Sequence, residues 1–235
     1  MIKTTKKNKM KYYLFTTYFK SKSPEREAEY DYCVRKNMFA ELDGIYLLVE
    51  NEEDRKEATK KFCSSNCYVI CMYPSKRPTF KDFFDFINTT HGENIWNYNF
   101  EDSINIIANT DIFFLNMQQI EANLHRLRRG RTCFALTRYD YHLNRGSNLH
   151  DVPDSQDTWI FNGKELLGNI NADFSMGVRG CDNRLAHELM QAGFEVLNPS
   201  KSICTFHLHD VPIRTYLDNN EPAVPPPYLL LPTHE

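Results

Sequence analysis

The chain has 235 residues, 41% of them hydrophobic and 25% charged, with a formal net charge of −3. That balance belongs to a globular protein with room for one well-buried domain or two small ones, and it offers no global reason to bind nucleic acid or an anionic membrane. No apolar run is long enough to span a bilayer, and seven cysteines without paired C-x-x-C spacing suit a reducing cytoplasm better than a disulfide or zinc framework.

In chain order, residues 1–10 read as a basic tail. The Tyr- and Thr-rich run after them lacks a small-residue cleavage site, so it reads as a first core strand, "YYLFTTYF" (12–19), and not as a signal peptide. "SPEREAEYDYCVRKNMF" (23–39) predicts a helix with Ser23 as N-cap and Pro24 at its first position. "GIYLLVE" (44–50) is a second buried strand, "EEDRKEATKKF" an exposed helix or loop, and "CYVICMY" (67–73) a third strand. "TFKDFFDFINTT" (79–90) carries one apolar helical stripe at Phe80, Phe83, Phe84 and Ile87. "SINIIANTDIFF" (103–114) is a strand interrupted by a polar triplet, "MQQIEANLHRL" a helix, and "TCFALTRYDYH" a single further strand.

The stretch "YHLNRGSNLHDVPDS" (141–155) is too long for a passive connector and predicts a substrate loop. A short helix follows from Leu185, with a turn at Gly193. Proline in "EPAVPPPYLLLP" keeps the C-terminal part out of helix and sheet interiors, so it lies over the surface, onto a neighbour, or serves as a linker. Strand–helix alternation predicts one α/β domain on a largely parallel sheet, with ligands at the carboxyl ends of its strands.

Four places carry candidate chemistry, and each has a plain structural alternative. Asn109-Thr110-Asp111 is either a turn or a carboxylate delivered to the sheet's edge. Asp154 and Asp157 ahead of Trp159 open a strand, or Asp157 and Trp159 form the floor of a sugar site. Asp182 in "GCDNRLAHEL" is a helix cap or a general base. His207 and His209 share one face of a strand, as metal ligands or as cleft-lining histidines, and Arg214 beyond them grips a phosphate or is a solvated surface residue.

Taken together, "NTDIFF", "ALTRYD", "DSQDTWIF", "GCDNRLAHEL", "AGFEVLNPS" and "HLH…R.Y" resemble the GT-A glycosyltransferases, and more narrowly a small GT-A-like family found in large DNA viruses (including chlorella viruses) and in bacteria. The resemblance spans roughly residues 12–216. It implies a Rossmann-like, mostly parallel sheet flanked by helices, a glycosyltransferase domain over 11–217, and a Pro-rich tail or linker over 218–235. It further implies transfer of a hexose from a nucleotide-sugar, a UDP-sugar, to a glycan or other hydroxyl acceptor, with inversion and help from Mn²⁺ or Mg²⁺, in a cytoplasm; the alternatives are a sugar nucleotidyltransferase, against which the glycine-free "TTYFKSKSPER" counts, and a non-catalytic nucleotide-sugar or glycan-binding module. By the same resemblance Asp111 is the main metal ligand, Asn109 replaces the first carboxylate of the usual D-x-D triplet, and His207 or His209 adds a ligand. Asp182 takes the catalytic base position, with Cys181 in place of its usual acidic neighbour. Thr16, Thr17, Tyr18, Arg26, Glu50, Arg77 and Arg214 become candidate contacts to the nucleotide.

Overall fold

The computed structural model describes residues 9–72, 76–93, 103–163, 165, 167–211 and 224–235. The first half alternates strand and helix as its patterning dictates: β1 (Lys11–Tyr18), α1 (Pro24–Met38), β2 (Gly44–Val49), α2 (Glu52–Phe62), β3 (Cys67–Cys71) and α3 (Phe80–Glu93). Ser23 caps α1, its hydroxyl accepting from the Arg26 amide, and Pro24 stands at the first turn. Next come β4 (Ser103–Ala108), β5 (Ile112–Phe113), α4 (Gln118–Leu127), β6 (Thr132–Leu136), β7 (Tyr139–His142) and β8 (Gly146–Leu149). The chain closes with β9 (Thr158–Asn162), α5 (Cys181–Gln191), β10 (Glu195–Leu197) and β11 (Phe206–Leu208).

Seven strands form the central sheet in the order β10-β6-β9-β4-β1-β2-β3. Every pairing is parallel except those of β9, which runs antiparallel to β4 and β6. The fold is therefore α/β and Rossmann-like, a mostly parallel sheet flanked by helices. Alternation along β1 sorts its side chains between two cores. Tyr12, Leu14 and Tyr18 join Tyr30 and Val34 of α1, Phe62 of α2 and Ile120 of α4. Tyr13 and Phe15 join Phe80, Phe83 and Phe84 of α3 and Leu185 and Leu189 of α5 on the other side.

A second sheet, β5-β11-β7-β8, stands beside the first. It corrects two expectations. "TCFALTRYDYH" is two strands, because the Thr137 amide donates to Asn198 Oδ1 at 3.1 Å in place of a ladder partner and the chain passes from one sheet to the other. The proposed substrate loop is largely the β7–β8 hairpin.

The described part of the Pro-rich tail is no free linker. Residues 224–235 pack back onto the domain: the amides of Val224, Leu229, Leu231 and His234 donate to the carbonyls of Arg179, Asn183, Pro153 and Asn198, and Val224 and Leu231 enter the second core. A Cβ on Gly180, which has φ +85°, would meet Tyr228 Oη and the Val224 carbonyl at 2.8 Å each, so the segment closes directly over the start of α5. No helix among the described residues is long and apolar enough to cross a membrane.

Candidate active site

Register brings distant polar residues to one edge. Because β9 runs antiparallel, Thr158 pairs with Ala108 of β4 and with Leu136 of β6. Asp157, Asn109 and Arg138, lying just before or beyond those partners, therefore meet at the carboxyl ends of the parallel strands, where ligands bind in open α/β sheets. There a cavity of about 110 Å³ is lined by Thr17, Phe19, Arg26, Tyr30, Arg77, Asn109, Thr110, Asp111, Arg138, Asp157, Met176, Gly177, His207 and His209.

The polar triplet is both turn and wall. The Ile112 amide donates to the Asn109 carbonyl at 3.1 Å, closing a turn between β4 and β5. The Thr110 hydroxyl donates to the Thr17 carbonyl at 2.9 Å, which ties the turn to the end of β1. Asp111 accepts from Arg26 Nη2 and, at 3.1 Å, from His207 Nε2. Arg26, itself buried, also reaches Glu29 and the Leu208 carbonyl. Glu29 accepts from the amides of Asp210 and Val211 at 2.8 Å each, so α1 anchors the strand end that carries both histidines. On its other side His207 Nδ1 meets Asp140 at 3.3 Å.

Electrostatics follow from this clasp. Burial alone would raise the Asp111 carboxyl, but His207 and Arg26 outweigh it and hold it far below the carboxylate range. For His207 burial opposes the charged form, yet Asp111 and Asp140 lift it to about 9. One carboxylate and two imidazoles, Asp111, His207 and His209, place ligand atoms within 4.8 Å of one another. That donor set fits a divalent ion, and with two imidazoles it suits a transition ion such as Mn²⁺ better than Mg²⁺, which prefers oxygen. Loading it requires His207 to release its proton and Arg26 to share Asp111.

Next to the triplet, Asp157 organises a second stretch of the lining. It accepts from Asn109 Nδ2 at 2.7 Å and from Arg138 Nη1 at 2.8 Å. One residue earlier, the Gln156 amide donates to Asp182 Oδ2 at 3.2 Å. Asp182 does not cap α5: Gly180 holds that position, and Asp182 sits half-buried in the first turn, one step beyond Asp157 and not on the cavity wall itself. Burial first, and the Asp157 charge second, push its carboxyl up to about 7 against the pull of three backbone amides.

Several candidates fall elsewhere. Tyr18 is fully buried on the α1–α2 side, its hydroxyl donating to Asp31 at 2.6 Å. Thr16 is buried on that same side of β1, so only Thr17 of the trio reaches the cavity. Trp159 is no sugar platform: it is fully buried, edge-to-face with Phe80 at 4.8 Å. Trp159→Ala is expected to cost about 3–5 kcal/mol in chemical denaturation, as large core deletions do. Glu50 is half-buried off the cavity, raised by burial and opposed by Arg77. Arg77 lines the cavity and donates to the Gly177 carbonyl at 3.2 Å. Arg214 lies outside the described residues. Arg138, Asp140, Gln156, Glu29, Phe19 and Tyr30 were not singled out from sequence. The signal for the first two was present: opposite charges two apart inside an otherwise apolar "TCFALTRYDYH".

The molecule thus has a Rossmann-like sheet with a polar, cation-rich cavity at its carboxyl edge. No protein-family model and no curated protein matches the chain. Solved structures similar to it include a 4-diphosphocytidyl-2C-methyl-D-erythritol synthase, at 11% identity and a TM-score of 0.49 over 81% of this chain and 89% of that one. Another is S. aureus TarS in complex with UDP-GlcNAc, at 11% identity and a TM-score of 0.48 over 87% of this chain. The match spans 60% of the TarS chain.

Proposed function

We propose that the protein is a glycosyltransferase that moves a hexose from a nucleotide-sugar, a UDP-sugar, to a hydroxyl of a glycan or other acceptor with inversion. The observation that carries this reading is a cation-rich cavity lining with a raised carboxyl one step behind it. Arg26, His207 and His209 stand around Asp111, and a carboxyl lifted to about 7 stands behind Asp157. The cations suit a diphosphate leaving group, and the raised carboxyl suits a base that ionises near neutral pH.

In this reading Asp111, His207 and His209 would hold a divalent ion, which would supply positive charge beside the departing nucleoside diphosphate. Arg77 and Arg138 add fixed positive charge on the cavity wall, and Thr17, Phe19 and Tyr30 border the nucleotide. Asp157 faces the cavity beside the transferred sugar. Asp182 removes the proton from the acceptor hydroxyl as it attacks the anomeric carbon from the face opposite the diphosphate.

One observation favours a second reading, a binding module without turnover. The triplet's first position is Asn109, whose amide is committed to Asp157, and its one carboxylate is shared with Arg26. Melting the protein with a panel of nucleoside diphosphates, with and without Mn²⁺, tests the donor assignment. UDP with Mn²⁺ at 100-fold above Kd should raise Tm by about 5–10 °C, and no stabilisation by any nucleoside diphosphate would defeat it. Release of UDP from a UDP-hexose by the stabilised protein then separates enzyme from module.

A further inference from the structure

Two adjacent residues, Gln156 and Asp157, link the cavity lining to Asp182 behind it. The Gln156 amide donates to Asp182 at 3.2 Å. The Asp157 carbonyl accepts from the Asn109 amide at 3.0 Å, and its carboxylate takes the Asn109 side chain on one oxygen and Arg138 on the other. These bonds connect the 109–111 turn, through the 156–157 peptide, to the carboxyl of Asp182. Asp157 also sets its own negative charge against that carboxyl in a partly buried place, where like charges are poorly screened.

We propose that Asp157 is a positioning residue: through Gln156 it couples the Asn109–Asp111 turn to Asp182, and its charge, balanced by Arg138, governs how readily Asp182 holds a proton. This deepens the glycosyltransferase reading and rests on it for its catalytic meaning, since it concerns the same base. The other groups around the start of α5 are already engaged. Arg184 is bonded to Glu188 and to the carbonyls of Pro225 and Pro226. The Tyr228 hydroxyl donates to the Val224 carbonyl, and the Cys181 thiol is pushed up to about 12 by burial and by Asp182. Arg138 divides its guanidinium between Asp157 and Asp140. Among the described residues, Asp157 is thus the charge whose removal should act on Asp182 most directly.

The coupling predicts shifts of opposite sign. Asp157→Asn removes a like charge and should lower the midpoint of Asp182 by about one pH unit or more. Arg138→Gln removes the positive charge that balances Asp157 and should raise it, by less than Asp157→Asn lowers it, because Arg138 acts on Asp182 only past Asp157. The measurement is a carbon-13 carboxyl NMR titration of the full chain labelled at aspartate, with the Asp182 resonance assigned by its loss in Asp182→Asn. It needs no donor or metal, so it succeeds or fails separately from the melting experiment that tests the glycosyltransferase reading. A merely structural role for Asp157 would leave the midpoint in place. Unmoved midpoints, or shifts of both variants in the same direction, overturn the proposal; where one variant fails to fold, the sign of the other decides.

Discussion

If the protein is the proposed glycosyltransferase, Asp182→Asn is expected to lose roughly 10²- to 10⁴-fold in turnover, the range a positioned general base contributes, while UDP affinity stays within about twofold, because in that proposal the residue acts only in the chemical step. By the same proposal, turnover of the unmodified protein should climb as pH rises through about 7, the value to which burial and Asp157 lift the Asp182 carboxyl. The same carboxyl works against stability at that pH. Its folded pKa lies above the unfolded value, so its stabilising contribution is complete below about pH 4 and is lost as pH rises through 7. Asp182→Asn should therefore melt at or above the wild-type temperature at pH 8 while being nearly inactive. A variant that keeps full turnover, with UDP release measured across pH 5–9, would remove Asp182 from the mechanism. A partly buried carboxylate kept against its own desolvation is what a stability–activity compromise at a functional site looks like.

Asp111→Asn is expected to fail in both respects. It takes the counter-charge from Arg26 and His207, both buried, and breaking such a pair by removing one partner costs about 3–5 kcal/mol. The lower end applies here, since Arg26 keeps Glu29, the Tyr30 hydroxyl and the Leu208 carbonyl. Stabilisation of the protein by UDP with Mn²⁺ should disappear with the ligand set. The acid side of the stability curve gives an independent check. The Asp111 carboxyl is depressed in the folded state, so its contribution is present above about pH 4 and drains away as pH falls below that value. Asp111→Asn should flatten that decline. Retention of both the acid slope and the Mn²⁺ effect would show that Asp111 is neither the anchor of the clasp nor an ion ligand.

The contrast between these aspartates is instructive because both are short acidic side chains at the ends of apolar segments. Asp111 meets two cations and is held ionised; Asp182 meets only backbone amides and another carboxylate and is driven toward neutrality. Position in the chain distinguishes neither, and their partners come from elements up to 96 residues away.

Much of the fold is written locally. Ser23-Pro24 with acids behind them starts α1 wherever the rest of the chain goes, and the apolar runs at 44–49 and 103–108 have nowhere to lie but inside a sheet. The polar break at 109–111 marked a place where a buried strand must reach the sheet's edge. Those features are decided by propensity, capping and the cost of burying unpaired polar groups, all of which act over a few residues.

Which face of a strand looks into the cavity was decided elsewhere. Thr16, Thr17 and Tyr18 are consecutive, and the two-residue period of β1 admits only Thr17; its neighbours turn to the helices on the other side. Trp159 stands two residues after Asp157, yet the pairing of β9 with β4 and β6 leaves one at the rim and draws the other into the core. The passage of Arg138 and Asp140 into the second sheet depends on Asn198, 61 residues from Thr137. Composition and periodicity predicted a largely parallel α/β sheet and left open whether its aspartates were turns, caps or site residues. Register and long-range hydrogen bonds settled which of those groups share a cavity, because a side chain's direction is set by the strand beside it and its charge state by neighbours that the chain brings back only on folding.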